Sequence, residues 1–229
     1  MSNSISIIGC GIVGATIAYE LSCSNKYTID VYDRQQPAQA ATGAALGVLM
    51  GIISQKVKGR AWNLRKESIL RYRSLIPELE QVTGLKIPHN CQGIVKLLSP
   101  EDDLAKWEQL IATRKQQEWQ LELWQASQIA AQLPQINPDF GGTAVYSPQD
   151  LQVDPVAITN ALVMAAKMNG VNFHFDRSIE SIRADSPDSC DIFTPDLLNV
   201  ASDWVIVTAG LGSTSLLSPH APIEIQPVL

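Results

Sequence analysis

Cysteine is scarce and dispersed in this chain of 229 residues: Cys10, Cys23, Cys91 and Cys190 form no C-x-x-C pair. The spacing argues against a disulfide framework or a thiolate zinc site and suits reduced, mostly buried thiols. Histidine is rarer still, and His89, His174 and His220 lack metal-ligand spacing, so no metal site is expected. No apolar run approaches the ~20 residues of a membrane span, and no basic flank precedes a long apolar region at the N-terminus. Because the first strand starts almost at Met1, the expectation is a cytoplasmic protein with no transmembrane segment. A basic excess is missing too: the net charge of −6 leaves no electrostatic footprint for nucleic acid. What the chain does have is 45% apolar residues, enough for a real core.

The most ordered stretch comes first, over residues 4–33, as strand, glycine turn, helix, strand and acid. Ser4-Ile5-Ser6-Ile7-Ile8 runs into Gly9-Cys10-Gly11-Ile12-Val13-Gly14, a G-x-G-x-x-G placed where a buried parallel strand would end. In that spacing the first glycine permits the turn, the second lets backbone approach a pyrophosphate, and the third lets the helix pack closely. Phosphates would sit on unpaired N–H groups at a helix N-terminus, where the dipole favours negative charge. Thr28-Ile29-Asp30-Val31-Tyr32 then ends on Asp33, about 20 residues past the glycines, where a carboxylate can accept ribose hydroxyls. An acid there disfavours a 2′-phosphate, so FAD or NAD is expected rather than NADP.

The small-residue stretch over residues 39–50 has two open readings. It lets backbone approach a flat ligand, with Thr42 reaching a phosphate, or it is a flexible loop leading into a buried segment. Trp62, Ile69, Tyr72 and Ile76 predict a helix over 60–80, lying on the sheet and ended by Gly84. A strand is expected over 93–98, and Ser99-Pro100-Glu101-Asp102 reads as the capping-box-like start of a helix running to Gln117. A strand over 121–124 and a short helix over 127–133 follow, with Trp107, Trp119 and Trp124 packing the core. The run from Gly141 to Tyr146 leads back to Asp154, an N-cap with Pro155 at the first helical position, and a helix ending at Gly170. A strand over 171–175 comes next, and the short runs over 179–182, 190–193 and 197–200 after it suggest a β-meander. Trp204-Val205-Ile206-Val207-Thr208 then ends on Ala209-Gly210-Leu211-Gly212, a second glycine turn that fits the ligand crevice of an open α/β sheet.

Four of these stretches in order, residues 7–14 with Asp33, 41–49, Val153-Asp154-Pro155 with its helix, and 205–212, resemble the D-amino-acid oxidase-like flavoprotein superfamily, especially its glycine oxidase, sarcosine oxidase and amino-acid dehydrogenase branches. The resemblance implies an α/β fold: a Rossmann-like FAD-binding domain with a βαβ start and a β-meander, interrupted by an α+β substrate domain that is incomplete in this chain. Residues 1–84 and 146–218 would form the FAD-binding domain, 85–145 a substrate-domain segment, and 219–229 the start of a further substrate-domain strand. By the same resemblance, Gly9, Gly11, Ile12, Val13 and Gly14 hold the pyrophosphate through backbone. Asp33 takes the adenosine ribose, where the family more often has Glu, and Arg34 neighbours the adenine. Ala41, Thr42, Ala45, Leu46, Gly47 and Val48 run along the phosphates and flavin ring. Ile179 meets adenine through backbone, and Ala209 and Gly210 close on the cofactor.

The chemistry so implied is FAD-dependent oxidation of the C–N bond of an amino acid or small amine, such as glycine, sarcosine or a D-amino acid, by hydride transfer to flavin. Family members meet the substrate carboxylate with an Arg in a segment that has no counterpart before Leu229. No catalytic residue is therefore assigned, and Arg60, Arg65, Arg71 and Arg73 read as helix-surface charges. Two other readings stay open. One is a non-catalytic FAD- or nucleotide-binding remnant acting through self-association or a partner chain at the unfinished substrate strands. The other is an NAD-dependent dehydrogenase, which leaves the small-residue loop and the meander without a purpose.

Overall fold

The computed structural model describes residues 3–137, 142–186, 189–195, 199–221 and 223–226. In chain order the elements begin with β1 (Asn3–Ile8), α1 (Ile12–Ser22), β2 (Tyr27–Tyr32), the four-residue α2 (Ala41–Ala44), β3 (Val48–Leu49) and the long α3 (Gly59–Thr83). Then come β4 (His89–Asn90), β5 (Ile94–Leu97), α4 (Leu104–Gln116), β6 (Glu122–Trp124), α5 (Ala126–Gln132), β7 (Ala144–Ser147) and β8 (Leu151–Val153). The chain closes with α6 (Pro155–Met168), β9 (Asn172–His174), β10 (Ser181–Ser186), β11 (Ser189–Phe193), β12 (Asn199–Ser202), β13 (Trp204–Val207), a 3₁₀ turn (Gly210–Gly212) and α7 (Ser213–Leu217).

These elements form two compact units. The first comprises Met1–Leu46, Glu78–Ile87 and Asp154–Leu229, the second Gly47–Pro77 and Pro88–Val153. Residues 47–77 thus group with the second unit, whereas the sequence boundaries place them in the cofactor domain. Strand pairing supplies a reason: β3 pairs antiparallel with β8, Val48 opposite Gln152 and Leu49 opposite Leu151.

In the first unit a parallel sheet has the order β13-β1-β2-β9, with Ile5 opposite both Trp204 and Ile29. Helix α1 packs on β1, β2 and α6, and the buried Ala15, Ala18, Ala161 and Ala165 permit that close approach. The β10-β11-β12 meander is antiparallel, and Ile8, Tyr32, Ile179, Ile182, Ile192 and Leu216 share one apolar cluster. Each such side chain contributes about 1.5–3 kcal/mol when fully buried. The α6 start forms as read: Asp154 Oδ1 accepts the N–H of Val156 and of Ala157, both at 2.9 Å, with Pro155 at the first position.

The second unit holds two short sheets, β3-β8-β4 and β5-β7-β6, and Trp124, Ile129 and Ala144 form an apolar cluster against Val95, Leu97 and Tyr146 of the latter. Trp107 and Trp124 are buried, while Trp119 is half-buried edge-on to Trp62 at 6.4 Å. The helix expected from Ser99 begins instead at Leu104. Asp102 closes a turn by accepting the Ser99 N–H at 2.9 Å, and Asp103 becomes the cap. Lys96 Nζ lies 2.6 Å from the same Asp102, and with the Ser99 bonds it holds that carboxyl well below the usual range.

Arg114 is fully buried. Its Nε donates to Ile52 O at 2.7 Å, its Nη2 to Ser54 O at 2.8 Å and Lys56 O at 2.9 Å, and its guanidinium lies 3.8 Å over the Trp62 ring. The N–H groups of Gly51, Ile52 and Ile53 meanwhile all donate to the buried Asp150, each at 2.8 Å.

The cysteines correct one expectation: all four are free, but only Cys10 is buried, and Cys23 and Cys91 are exposed. Gly141, Leu197 and Leu198 of the expected runs, and residues 222 and 227–229 of the expected final strand, lie outside the described residues. Residues 223–226 carry no strand. Among the described residues no helix is long and apolar enough to cross a membrane.

Candidate functional site

The G-x-G-x-x-G turn sits between β1 and α1, and its glycines have separate steric causes. Gly9 has φ +106°, and a Cβ there would meet Thr208 O at 2.5 Å and Ala209 N at 2.8 Å. A Cβ on Gly11 would lie 2.9 Å from Thr42 Oγ1. One on Gly14 would overlap the Gly9 carbonyl oxygen and stand 2.6 Å from Thr208 Oγ1. The turn is therefore packed onto its own helix, Thr42 and the residues after β13, a backbone cradle with no room for a Cβ at any of the three glycines.

The helix start supplies donors. The N–H groups of Gly11, Val13 and Gly14 have no hydrogen-bond partner within the described chain, and the first turn holds no acidic side chain. Such orphan N–H groups at a helix N-terminus suit an anion. Ile12 differs from the expectation, because its N–H donates to Thr42 Oγ1 at 3.0 Å. The Thr42 hydroxyl acts as acceptor there, so its own proton is not used in that bond. The Val13 side chain is 58% exposed beside these donors, an apolar group left open at the mouth.

Asp33 lies across from them, half-buried. Its Oδ2 accepts the Cys10 N–H at 2.6 Å and its Oδ1 the Gln35 N–H at 2.9 Å, which orients the carboxylate and leaves lone pairs for further donors. Its backbone is tied as well, N–H to His174 O at 3.1 Å and C=O from the Arg177 N–H at 2.9 Å. Arg34 is exposed. The Cys10 thiol is pushed up to about 12, mainly by burial and then by the Asp33 charge, so it stays protonated at neutral pH and serves packing rather than nucleophilic chemistry.

The small-residue stretch resolves into α2 and a short exit. Thr42 is buried, Ala41 and Ala45 are exposed, and Leu46 is 82% exposed, a large apolar side chain with little protein against it. Gly47 and Val48 belong to the second unit: Gly47 O accepts the Val153 N–H at 3.0 Å, and Val48 pairs with Gln152. The structure thus groups Thr42 with Gly11 and Ile12, and separates Gly47 and Val48 into the β3–β8 pair.

At the end of β13 the second glycine turn meets the first. Thr208 Oγ1 donates to Gly9 O at 2.8 Å and lies 3.1 Å from Ile8 O, and Gly210 opens the 3₁₀ turn beyond Ala209. Thr208 was no candidate on sequence grounds; the available signal was a hydroxyl closing an otherwise apolar strand directly before Ala209-Gly210. The Ile179 side chain is in the core, while its N–H and C=O have no hydrogen-bond partner within the described chain. On α3, Arg60 and Arg65 are exposed, and Arg73 Nη2 donates to Gln149 O at 3.0 Å.

A family model described as DAO, FAD dependent oxidoreductase, matches residues 4–229. The glycine oxidase of Bacillus licheniformis is 28% identical over 180 residues, which cover 79% of this chain and 47% of that protein. The D-amino acid dehydrogenase of Rhizorhabdus wittichii is 32% identical over 168 residues, covering 70% and 40%. The chain spans about half the length of the curated relatives it matches. The crystal structure of a glycine oxidase from Geobacillus kaustophilus has the same fold, with a TM-score of 0.85 at 22% identity over 95% of this chain and 58% of that one. With a match that runs from residue 4 to residue 229 and takes in the glycine turn, Asp33 and the late turn, the chain belongs to the DAO family of FAD-dependent oxidoreductases.

Proposed function

We propose that this chain binds FAD on its first unit and forms the cofactor-binding part of an oxidoreductase acting on the C–N bond of an amino acid or small amine, with glycine, sarcosine and D-amino acids as the substrate class. The observation that carries the reading is the set of unpaired Gly11, Val13 and Gly14 N–H groups over a cradle with no room for a Cβ. An adenine dinucleotide fits these residues: its pyrophosphate on those N–H groups and the Thr42 hydroxyl, its ribose hydroxyls on Asp33, its adenine along the unbonded backbone of Ile179. Ala209 and Gly210 close the cradle from the far strand. When bound, FAD supplies the acceptor for a hydride leaving the carbon next to an amine. The protein's own contribution, in this reading, is to fix that cofactor, keep acidic side chains out of the first turn of α1 beside its phosphates and keep the Cys10 thiol protonated. The glycine oxidase and D-amino acid dehydrogenase relatives support the substrate class. Four uncrosslinked cysteines support a reducing compartment, and the cytoplasm is the proposed location.

The test is an absorbance spectrum of purified protein after FAD is added and unbound ligand removed. Retained bands at roughly 380 and 450 nm are expected, as for a bound flavin, followed by a screen of glycine, sarcosine and D-amino acids for bleaching of the longer band. A colourless preparation that retains NAD instead would replace this reading with a nicotinamide-dependent one.

A further inference from the structure

One peptide of the glycine turn is gripped at both ends. The Gly9 C=O accepts the Thr208 hydroxyl at 2.8 Å, and the adjoining Cys10 N–H donates to Asp33 Oδ2 at 2.6 Å. The grips come from the ends of the two strands that flank β1, since Thr208 follows β13 and Asp33 follows β2. Strand pairing does not need the Thr208 hydroxyl, because the Thr208 N–H already donates to Ile8 O at 2.7 Å. The hydroxyl lies 3.1 Å from that same Ile8 O and makes its shorter contact with the Gly9 carbonyl, whose rotation would break both grips. The next N–H along the chain is the unpaired one of Gly11.

We infer that Thr208 is a positioning residue for dinucleotide binding: with Asp33 it locks the Gly9–Cys10 peptide, so that the Gly11 N–H and the Asp33 carboxylate face the adenosine diphosphate half of the cofactor together. The inference rests on the FAD-binding function proposed above. Valine in place of Thr208 keeps the shape and deletes the donor, leaving the Gly9 carbonyl without its partner, whereas serine keeps the donor.

The experiment titrates wild type, Thr208→Val and Thr208→Ser with FAD, followed by flavin fluorescence, and with ADP, followed by calorimetry, alongside thermal melts without ligand. Wild type and T208S are expected to bind alike. T208V is expected to bind both ligands about 10-fold more weakly, the scale of one lost hydrogen bond. Equal loss with ADP and FAD ties the effect to the adenosine diphosphate half, and rescue by serine separates positioning from packing. If T208V does not fold, Thr208→Ala serves as the donor-less variant. Wild-type affinity in the donor-less variant, or an equal loss in T208S, would overturn the role of Thr208 while leaving FAD binding intact. Absence of FAD and ADP binding by the wild type would overturn the function itself.

Discussion

Asp33 Oδ2 accepts the Cys10 N–H at 2.6 Å, so the acid that follows β2 holds the turn that follows β1. Cys10 is buried, and replacing Asp33 by Ala leaves its N–H without an acceptor, a cost of about 1–3 kcal/mol. Asp33→Ala is expected to lower the thermal midpoint by several degrees and to weaken FAD binding by about 10-fold or more. Melting curves and a fluorescence titration of the same sample read both effects. Unchanged affinity in a destabilised variant would remove Asp33 from the ligand site.

Gly14 and Gly84 make opposite claims about the same substitution. A Cβ on Gly14 overlaps a backbone oxygen that cannot swing away, so Gly14→Ala is expected to cost about 1–3 kcal/mol as overpacking and to abolish FAD retention. Gly84, at φ +70°, has open space around its missing Cβ, so Gly84→Ala carries only the conformational cost of about 1 kcal/mol and keeps the flavin. Chemical denaturation and the retained 450 nm band distinguish the pair.

The raised Cys10 thiol sets an alkaline limit. In the unfolded chain it ionises near 9, in the folded chain near 12, so the folded state holds the proton longer. Its contribution is fully present below pH 9 and is lost as pH climbs through 12. The Tyr19 phenol, raised by burial and by its hydrogen bond to Glu78, acts with the same sign. Denaturation midpoints are expected to fall steadily above pH 9, and a Cys10→Ala variant to show a shallower fall. Alkylation at pH 8, read by peptide mass, is expected at the exposed Cys23 and Cys91 well before Cys10.

In the second unit, Asp150 and Arg114 hold opposite polar edges of one segment, the N–H groups of Gly51, Ile52 and Ile53 and the carbonyls of Ile52, Ser54 and Lys56. Removing either side chain leaves its own backbone partners unmatched. Arg114→Met and Asp150→Asn are each expected to destabilise by about 1–3 kcal/mol, the cost of leaving buried backbone groups unsatisfied, measured by denaturant titration. A loss under about 0.5 kcal/mol, the range of ordinary surface changes, would contradict that assignment.

The parts legible in the sequence were those written in local spacing. Three glycines, the acid after the second strand and the Asp154-Pro155 start each act within a few residues of themselves or through one βαβ unit. Thr208 was illegible because the carbonyl it binds is 199 residues away. Arg114 has the look of a helix-surface charge, yet its backbone partners lie 58 to 62 residues upstream. The start of α4 was misread because Asp102 competes locally, capturing Ser99 in a turn that delays the helix to Leu104. Gly47 and Val48 look continuous with Thr42 until β3 pairs with β8.

The most direct measurement records backbone amide spectra of ¹⁵N-labelled protein as FAD is added. The expected result is saturable binding with the largest changes at the Gly11, Val13 and Gly14 amides, the donors that have no partner in the described chain. Binding that leaves those three amides unmoved, or no binding at all, would contradict the site.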